Sequence, residues 1–438
     1  MTNLETSFEF INDIRDEVLP NGVRVLLLPR HEVPSVAIGL YLRAGSVHDP
    51  ADRFGLANLT ARGVGDGTLK RTKEVLDEEI DFVGGSYQFS AGMEGSSGGM
   101  QFLAAHLPFA LDVLADTVTR PMFPPEEVSR GRKQIVGSIQ SQLERPGDLC
   151  ERRYQEQLFH GTAYGHNIDG EIDSVERITR DDLVEFHSAH FAPETAIITL
   201  VGDFEPAQTL ERITEEFSAW RGASPVDGPT PAFDGVGGIQ CEVIDRPVQQ
   251  ANIRLGWPTI PRLHPDYYPL VMMNYILGAS SLSSRIATTV RDNQGLAYQV
   301  TSRYVPMRHV GIFSVILQTS NHTANRALQG VRSEMERMMA APVEDWEIDD
   351  ARSYFRDRFP LTIETNSSMA GQLVNVARYN LPLTHFRDHL AAISAVTRED
   401  IQRAAQTYLH PDQFVLTVVG NAAEAAIELA GATTAATQ

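Results

Sequence analysis

Two stretches of the chain, Ile178–Asp203 (ITRDDLVEFHSAHFAPETAIITLVGD) and Val396–Asn421 (VTREDIQRAAQTYLHPDQFVLTVVGN), carry one pattern 218 residues apart, with no gap. Each opens with a threonine and an acidic turn, which is typical of a helix N-terminus. A helix with periodic apolar residues, a turn marked by proline and a strand ending in glycine follow in both. Upstream, Pro124 and Pro342 begin charged helices at the same spacing. The chain is therefore predicted to contain two homologous halves related by internal duplication.

The segment 222–238, GASPVDGPTPAFDGVGG, separates the two halves. It is rich in Gly and Pro and lacks hydrophobic periodicity, which predicts a linker. The predicted domains are therefore 1–221 and 239–438. Strand, hairpin and helix patterns alternate within them, so we expect an α+β fold in which each half is a largely antiparallel sheet with helices packed on it. After Asn421 we expect one short helix and a frayed tail.

The composition excludes several classes of function. The chain has 57 acidic and 37 basic residues and a formal net charge of −20. Binding to phosphate backbones requires clustered Lys and Arg, so nucleic acid is not an expected partner. The negative charge is interpreted as a solvated surface. No apolar run reaches the roughly 18 residues that a membrane helix needs, so no membrane span is predicted.

The cysteines and the N-terminal residues bear on the compartment. Cys150 and Cys241 stand in no metal-like spacing, and two reduced thiols are the expected state. The first residues, MTNLETSFEFINDIRDEVLPNG, have no basic start, apolar core or cleavage site of a signal peptide. A cytoplasmic location is predicted, and a periplasmic one stays open if an export signal has been removed.

The stretch Phe54–Thr68, FGLANLTARGVGDGT, resembles the zinc-helix segment of the pitrilysin/insulinase metallopeptidases, whose inverted zinc motif is H-x-x-E-H. Asn58 stands where the first His is expected, Ala61 replaces the Glu, and Arg62 replaces the second His. The family's third ligand, a Glu, falls on Ser138 in this register. Arg is a permanent cation, Asn is a poor zinc ligand, and no carboxylate is left to accept a proton from water. The resemblance therefore implies no metal and no cofactor in this chain.

A second stretch, Leu277–Tyr304, looks like the family's Arg/Tyr element, with Arg291, six residues, and then Tyr298. Its pattern predicts a helix over Ser284–Asp292, a helix cap at Gly295 and a strand over Ala297–Tyr304. The resemblance implies that the guanidinium and the phenol bind a substrate carbonyl that gains negative charge. The alternative is a surface Arg paired with its neighbour Asp292 and a core Tyr.

One further motif resembles a zinc site but lies in the wrong place. His385 and His389 belong to an H-x-x-D-H sequence and would share one helix face. Subtraction of the 218-residue repeat places this motif at residues 167–171, far from Asn58 in the first half. The favoured interpretation is a solvated helix face.

Two functions follow from the resemblance. The first is a zinc-free, non-catalytic subunit of a two-chain zinc metallopeptidase that is inactive alone. It would close a clamshell chamber around unfolded peptides with a homologous subunit that carries zinc, and would supply Arg291 and Tyr298. The second is an inactive structural or assembly subunit, or a substrate-recognition subunit, of the respiratory-complex or processing-peptidase type. That function does not require Arg291 or Tyr298, and their retention favours the first.

Overall fold

The computed structural model describes residues 6–222, 228, 235–280, 283–429 and 432–437, with the backbone alone at 6–7 and 432–437. The chain forms two compact units. Unit 1 consists of 1–139, 167–229 and 358–388, and unit 2 of 140–166, 230–357 and 389–438. Each unit therefore contains one segment from the other half of the sequence. The linker 222–238 lies mostly outside the described residues, and the boundaries placed on either side of it stay a prediction.

Each unit contains one six-stranded sheet. The strands of unit 1 are β1 (Arg15–Val18), β2 (Arg24–Pro29), β3 (Ser35–Leu42), β4 (Ser86–Ala91), β5 (Ser96–Leu103) and β6 (Ile197–Gly202). Those of unit 2 are β7 (Ile239–Asp245), β8 (Gln250–Thr259), β9 (Ala297–Pro306), β10 (Gly311–Ser320), β11 (Phe414–Gly420) and β12 (Ala432–Thr437). The strand orders are β1-β2-β6-β3-β5-β4 and β12-β7-β11-β8-β10-β9.

Fifteen α-helices surround the sheets in the described part of the chain. In chain order they are α1 (Leu56–Gly63), α2 (Lys73–Phe82), α3 (Leu107–Thr119), α4 (Pro125–Glu144), α5 (Pro146–Leu158), α6 (Ile172–Arg177), α7 (Arg180–His190), α8 (Pro206–Phe217), α9 (Tyr267–Asn274), α10 (Ala324–Ala340), α11 (Asp345–Thr362), α12 (Asn366–Arg378), α13 (His385–Ala395), α14 (Arg398–Tyr408) and α15 (Ala422–Ala425). Short 3₁₀ helices span Thr6–Asp13, Ser46–His48, Ala104–His106, Pro193–Thr195 and Asn321–Thr323, and π-helical segments span Tyr275–Ala279 and Ala287–Asn293.

The prediction of an α+β fold with two homologous halves is confirmed. Both sheets are mostly antiparallel. In unit 1 the parallel pair β2 and β6 joins the two ends of the first half, and in unit 2 the parallel pair β7 and β11 joins the two ends of the second half. The helix that follows each threonine begins as expected, because Thr179 and Thr397 form capping boxes with Asp182 and Asp400.

The innermost strand of each sheet is buried along its whole length, and this explains why each unit includes a segment from the other half of the sequence. Every residue of β6 and of β11 is buried, so helices must cover both faces of each sheet. The second face of the unit 1 sheet is covered by α12, from the second half of the sequence. The corresponding face in unit 2 is covered by α5, from the first half.

The chain after Asn421 differs from the expected frayed tail. Helix α15 is followed by β12, which pairs in parallel with β7 from Ile239 to Ile244. The backbone groups of β7 on that side gain ladder partners. A run of small Ala and Thr residues shows no strong hydrophobic alternation from which this pairing could be predicted.

Candidate functional site

The segment that resembles the zinc helix forms helix α1. It begins after Gly55, whose φ of +97° lies in the left-handed region that favours glycine. The carboxylate of Asp49 accepts hydrogen bonds from the backbone N–H groups of Gly55 (2.9 Å) and Ala57 (2.7 Å). These bonds satisfy donors at the helix N-terminus. The role of Asp49 could not be predicted from the sequence, because this residue lies six positions before the cap residue Gly55.

The side chains at the four motif positions, three on α1 and one on α4, cannot bind zinc. Asn58 is half-buried, Ala61 is 1% exposed, and Arg62 is exposed. The guanidinium of Arg62 donates to the side-chain oxygen of Gln134 in α4 at 3.4 Å. Ser138 is exposed one helical turn beyond Gln134 on α4.

These four side chains present an amide, a methyl group, a guanidinium and a hydroxyl. Structural and catalytic zinc sites use imidazole, thiolate or carboxylate donors, so this set does not fit the metal. Across the described residues, no group of three or more His, Cys, Asp or Glu side chains is placed to hold a metal ion. Cys150 and Cys241 are both buried free thiols, as expected.

Arg291 lies in the π-helical segment Ala287–Asn293, where an α-helix was expected. π-helical turns are rare and occur frequently at functional sites. The Arg291 Nε–H donates to the Asp292 carboxylate at 2.8 Å. This bond is the main reason that the pKa of Arg291 is raised, and Tyr298 makes a smaller contribution. The pairing with Asp292 is the one that the alternative interpretation expects.

Two long-range contacts anchor the helical turns that carry Arg291. Arg285 makes a bidentate ion pair with Glu347 in α11, at 2.7 and 2.6 Å. The hydroxyl of Thr289 donates to Glu334 in α10 at 2.7 Å, and Glu334 is 2% exposed. Both partners lie more than 40 residues away in sequence, so local sequence patterns do not predict these contacts.

Tyr298 follows at the start of β9 and is not a core residue, because it is 86% exposed. Gly295, with a φ of +62°, ends the helical segment as predicted. Opposite β10, Gln299 pairs with Gln318 and Ala297 pairs with Thr319. Tyr298 is therefore the extra residue of a β-bulge on the outer strand of the sheet. Bulges re-aim side chains and are over-represented beside active sites.

His385 and His389 lie on α13, and neither belongs to a metal-binding group in the part of the chain that the structure describes. No helix among the described residues is long and apolar enough to cross a membrane.

Two family models match the chain. The model for "Insulinase (Peptidase family M16)" matches residues 24–171, and the model for "Peptidase M16 inactive domain" matches residues 177–355. An uncharacterized zinc protease of Streptomyces coelicolor is 25% identical over 91% of this chain and 88% of its own length. A probable mitochondrial-processing peptidase subunit beta of Arabidopsis thaliana is 22% identical over 93% of this chain and 78% of its own.

Solved structures agree with these matches. The crystal structure of a peptidase M16 inactive domain from Pseudomonas fluorescens superposes with a TM-score of 0.87 at 25% identity, covering 93% of this chain and 97% of that one. A protease from Helicobacter pylori gives a TM-score of 0.86 at 19% identity, covering 93% and 99%, and supports the fold alone.

Proposed function

Because the chain belongs to the insulinase (M16) peptidase family, we propose that it is the zinc-free subunit of a two-chain zinc metallopeptidase. Its partner is a homologous subunit with an intact inverted zinc motif. Together they form a clamshell chamber for unfolded peptides, and this chain contributes Arg291 and Tyr298 to the site. Alone, it does not hydrolyse peptides.

The observation that carries this proposal is the contrast between the two candidate regions. At the zinc helix the scaffold is kept, with Asp49 fixing the N-terminus of α1, while Ala61 and Arg62 stand where the base and a ligand are expected. At the Arg/Tyr element both functional groups are retained, and an 86%-exposed Tyr298 has no packing role. A large aromatic side chain held in solvent by a bulge is better explained by a contact with another molecule than by stability.

The chemistry of the pair suits a peptide carbonyl. A phenol O–H and a guanidinium are both hydrogen-bond donors, and donors placed where negative charge develops lower the barrier to attack on a carbonyl. The Arg291 Nε–H is engaged with Asp292, which fixes the plane of the guanidinium. A guanidinium carries five N–H donors in a planar fork, a geometry that suits a carbonyl oxygen gaining negative charge. The anchors at Arg285 and Thr289 limit the movement of this turn.

The test is reconstitution with a zinc-bearing homologue from the same organism. Hydrolysis of a quenched fluorescent unfolded peptide is measured for each chain alone and for an equimolar mixture. The proposal expects no hydrolysis by this chain alone and faster hydrolysis by the mixture than by the partner alone. A mixture no faster than the partner contradicts the proposal and favours an inactive structural or recognition subunit.

A further inference from the structure

A cavity of about 420 Å³ lies in unit 1, between α12 and the outer strands of the sheet. Helix α12 packs closely on β3, because a Cβ atom built on Gly39 would lie 3.1 Å from Val374. Helix α12 packs mainly on β3 and β6, and beyond them the face of β4 that carries Ser86 and Gln88 is exposed. The volume falls within the range of about 300–1,000 Å³ that is typical of ligand sites.

The lining combines polar and apolar groups and is almost uncharged. It presents amide and hydroxyl side chains from β4, β5 and α12: Ser86, Gln88, Ser97, Gln101, Ser367 and Asn375. Among the described residues that line the cavity, Arg378 is the one with a charge, and its guanidinium lies against the rings of Tyr41 and Tyr379. None of the chain's 57 acidic residues is among those described lining residues.

Two glycines keep the cavity open, although packing does not require them. A Cβ atom on Gly371, in the middle of α12, would meet no described atom within 4 Å outside its own helical turns. A Cβ atom on Gly99 in β5 would meet only the side chain of Gln88, at 3.9 Å. Gly98 is different, since a Cβ atom there would lie 2.5 Å from the ring of Phe89. Glycine inside a helix costs about 1 kcal/mol relative to alanine, so a role other than internal packing is expected at Gly371.

We infer that this cavity is a binding subsite for an extended stretch of polypeptide without basic side chains, an assignment that rests on the proposed role in peptide handling. Amide and hydroxyl groups both donate and accept hydrogen bonds, as the peptide backbone does. The described lining contains no acidic side chain, so a Lys side chain would find no partner in exchange for the water that it would lose. The subsite therefore selects against basic side chains and not for a particular sequence.

The experiment measures binding by the full chain alone, without a partner. The probe is a fluorescein-labelled unfolded peptide of Ser, Gln and Ala, and binding is followed by fluorescence anisotropy. Gly371→Leu fills the cavity while improving the helix propensity of α12, so it is expected to fold and to weaken binding by about tenfold or more. Gly99→Val fills the cavity from the sheet side and serves as the second variant. Gly137→Leu is the matched control, because a Cβ atom on Gly137 in α4 also meets nothing within 4 Å.

The inference expects saturable binding by the wild type and by Gly137→Leu, and weak binding by both cavity variants. Replacing central Ser residues of the peptide by Lys should weaken binding to the wild type. Absence of saturable binding to the wild type overturns the inference, as does undiminished binding to a folded Gly371→Leu or Gly99→Val. Since no partner is used, this outcome is independent of the reconstitution test. If the mixture cleaves peptides but the cavity variants bind normally, only the cavity assignment fails.

Discussion

The hydroxyl of Thr199 donates a hydrogen bond to the carbonyl oxygen of Ala370, 171 residues further along the chain, at 3.0 Å. The contact joins the central strand β6 to α12, the helix that unit 1 receives from the second half of the sequence. Thr417, the repeat counterpart of Thr199, donates to Gln157 of α5 at 3.2 Å. The same strand position therefore holds the exchanged helix in both units.

Removal of these hydroxyls should weaken the docking of the exchanged helices. Thr199→Val keeps the shape and the β-propensity of the residue but loses the bond to Ala370. We expect its free energy of unfolding to fall by about 1 kcal/mol, because a buried hydrogen bond is lost. Thr417→Val should show a loss of similar size in unit 2. Urea denaturation measures both, and an unchanged stability for the two variants would show that these bonds contribute nothing.

Tyr154 of α5 carries a buried hydroxyl that finds no hydrogen-bond partner among the described residues. Its side chain is 3% exposed and lies against β8 at Gly256. Tyr154→Phe removes a desolvated polar group, so we expect stability to be unchanged or higher by up to about 1 kcal/mol. Thermal melting measures this effect. A clear loss of stability would mean that the hydroxyl has a partner in solution.

A side chain at Gly256 should destabilise the protein, because this glycine lies against the Tyr154 hydroxyl. A Cβ atom there would lie 2.2 Å from the carbonyl oxygen of Phe313 and 2.3 Å from the Tyr154 hydroxyl. Gly256→Ala is expected to destabilise the protein by about 1–3 kcal/mol through overpacking. The double variant with Tyr154→Phe should recover only part of this loss, because the clash with the backbone of β10 remains.

His187 should make stability depend on pH. Burial lowers its pKa to about 4, and its Nε2 lies 2.9 Å from the carbonyl oxygen of Val118. An unfolded imidazole has a pKa near 6.5, so the unfolded state takes up a proton first as the pH falls. The contribution is fully present above about pH 6.5 and decreases towards pH 4 by up to about 3 kcal/mol.

The measurement is the free energy of unfolding in urea at several pH values between these limits. His187→Gln stays uncharged and can still donate to Val118, so its stability should vary less with pH than that of the wild type. Equal pH dependence in the two proteins would exclude a neutral buried His187 as a source of the effect.

The sequence repeat predicted the two α+β halves and the capped helices at Thr179 and Thr397, because these features depend on local patterns. The exchange of α5 and α12 could not be predicted in the same way. An apolar helix face formed by residues such as Ala370 and Leu373 shows that the helix is buried, but the face fits either sheet. Which sheet it covers is decided by contacts more than 150 residues away, such as the bond between Thr199 and Ala370.

The candidate site shows the same limit. The helix before Gly295 and the strand after it were predicted at Arg291 and Tyr298, but the π-helical turn and the bulge were not. The bulge arises because Thr319 pairs with Ala297 and skips Tyr298, which is a property of the strand pairing and not of β9 alone. The exposure of Tyr298 could not be predicted from the alternation of buried and exposed residues along β9, because the bulge interrupts that alternation.

The four substituted motif positions give a prediction about metal content. Elemental analysis of the purified chain should find far less than one zinc ion per chain. Added zinc should not raise the melting temperature, because a ligand that does not bind the native state does not stabilise it. One tightly held zinc ion per chain, or a rise in melting temperature removed by a chelator, would contradict the interpretation of Asn58, Ala61, Arg62 and Ser138.

The role proposed for Arg291 and Tyr298 is tested most directly by the rate of peptide hydrolysis in the reconstituted mixture. Arg291→Ala and Tyr298→Phe are compared with wild type, and Arg326→Ala, an exposed arginine on α10, is the control. Tyr298 is 86% exposed, so its variant should keep the stability of the wild type within about 0.5 kcal/mol. Loss of a donor to the developing charge is expected to reduce kcat by about 100-fold or more for Arg291→Ala, with a smaller loss for Tyr298→Phe and none for Arg326→Ala. Full activity of the mixtures with Arg291→Ala and Tyr298→Phe would contradict the account.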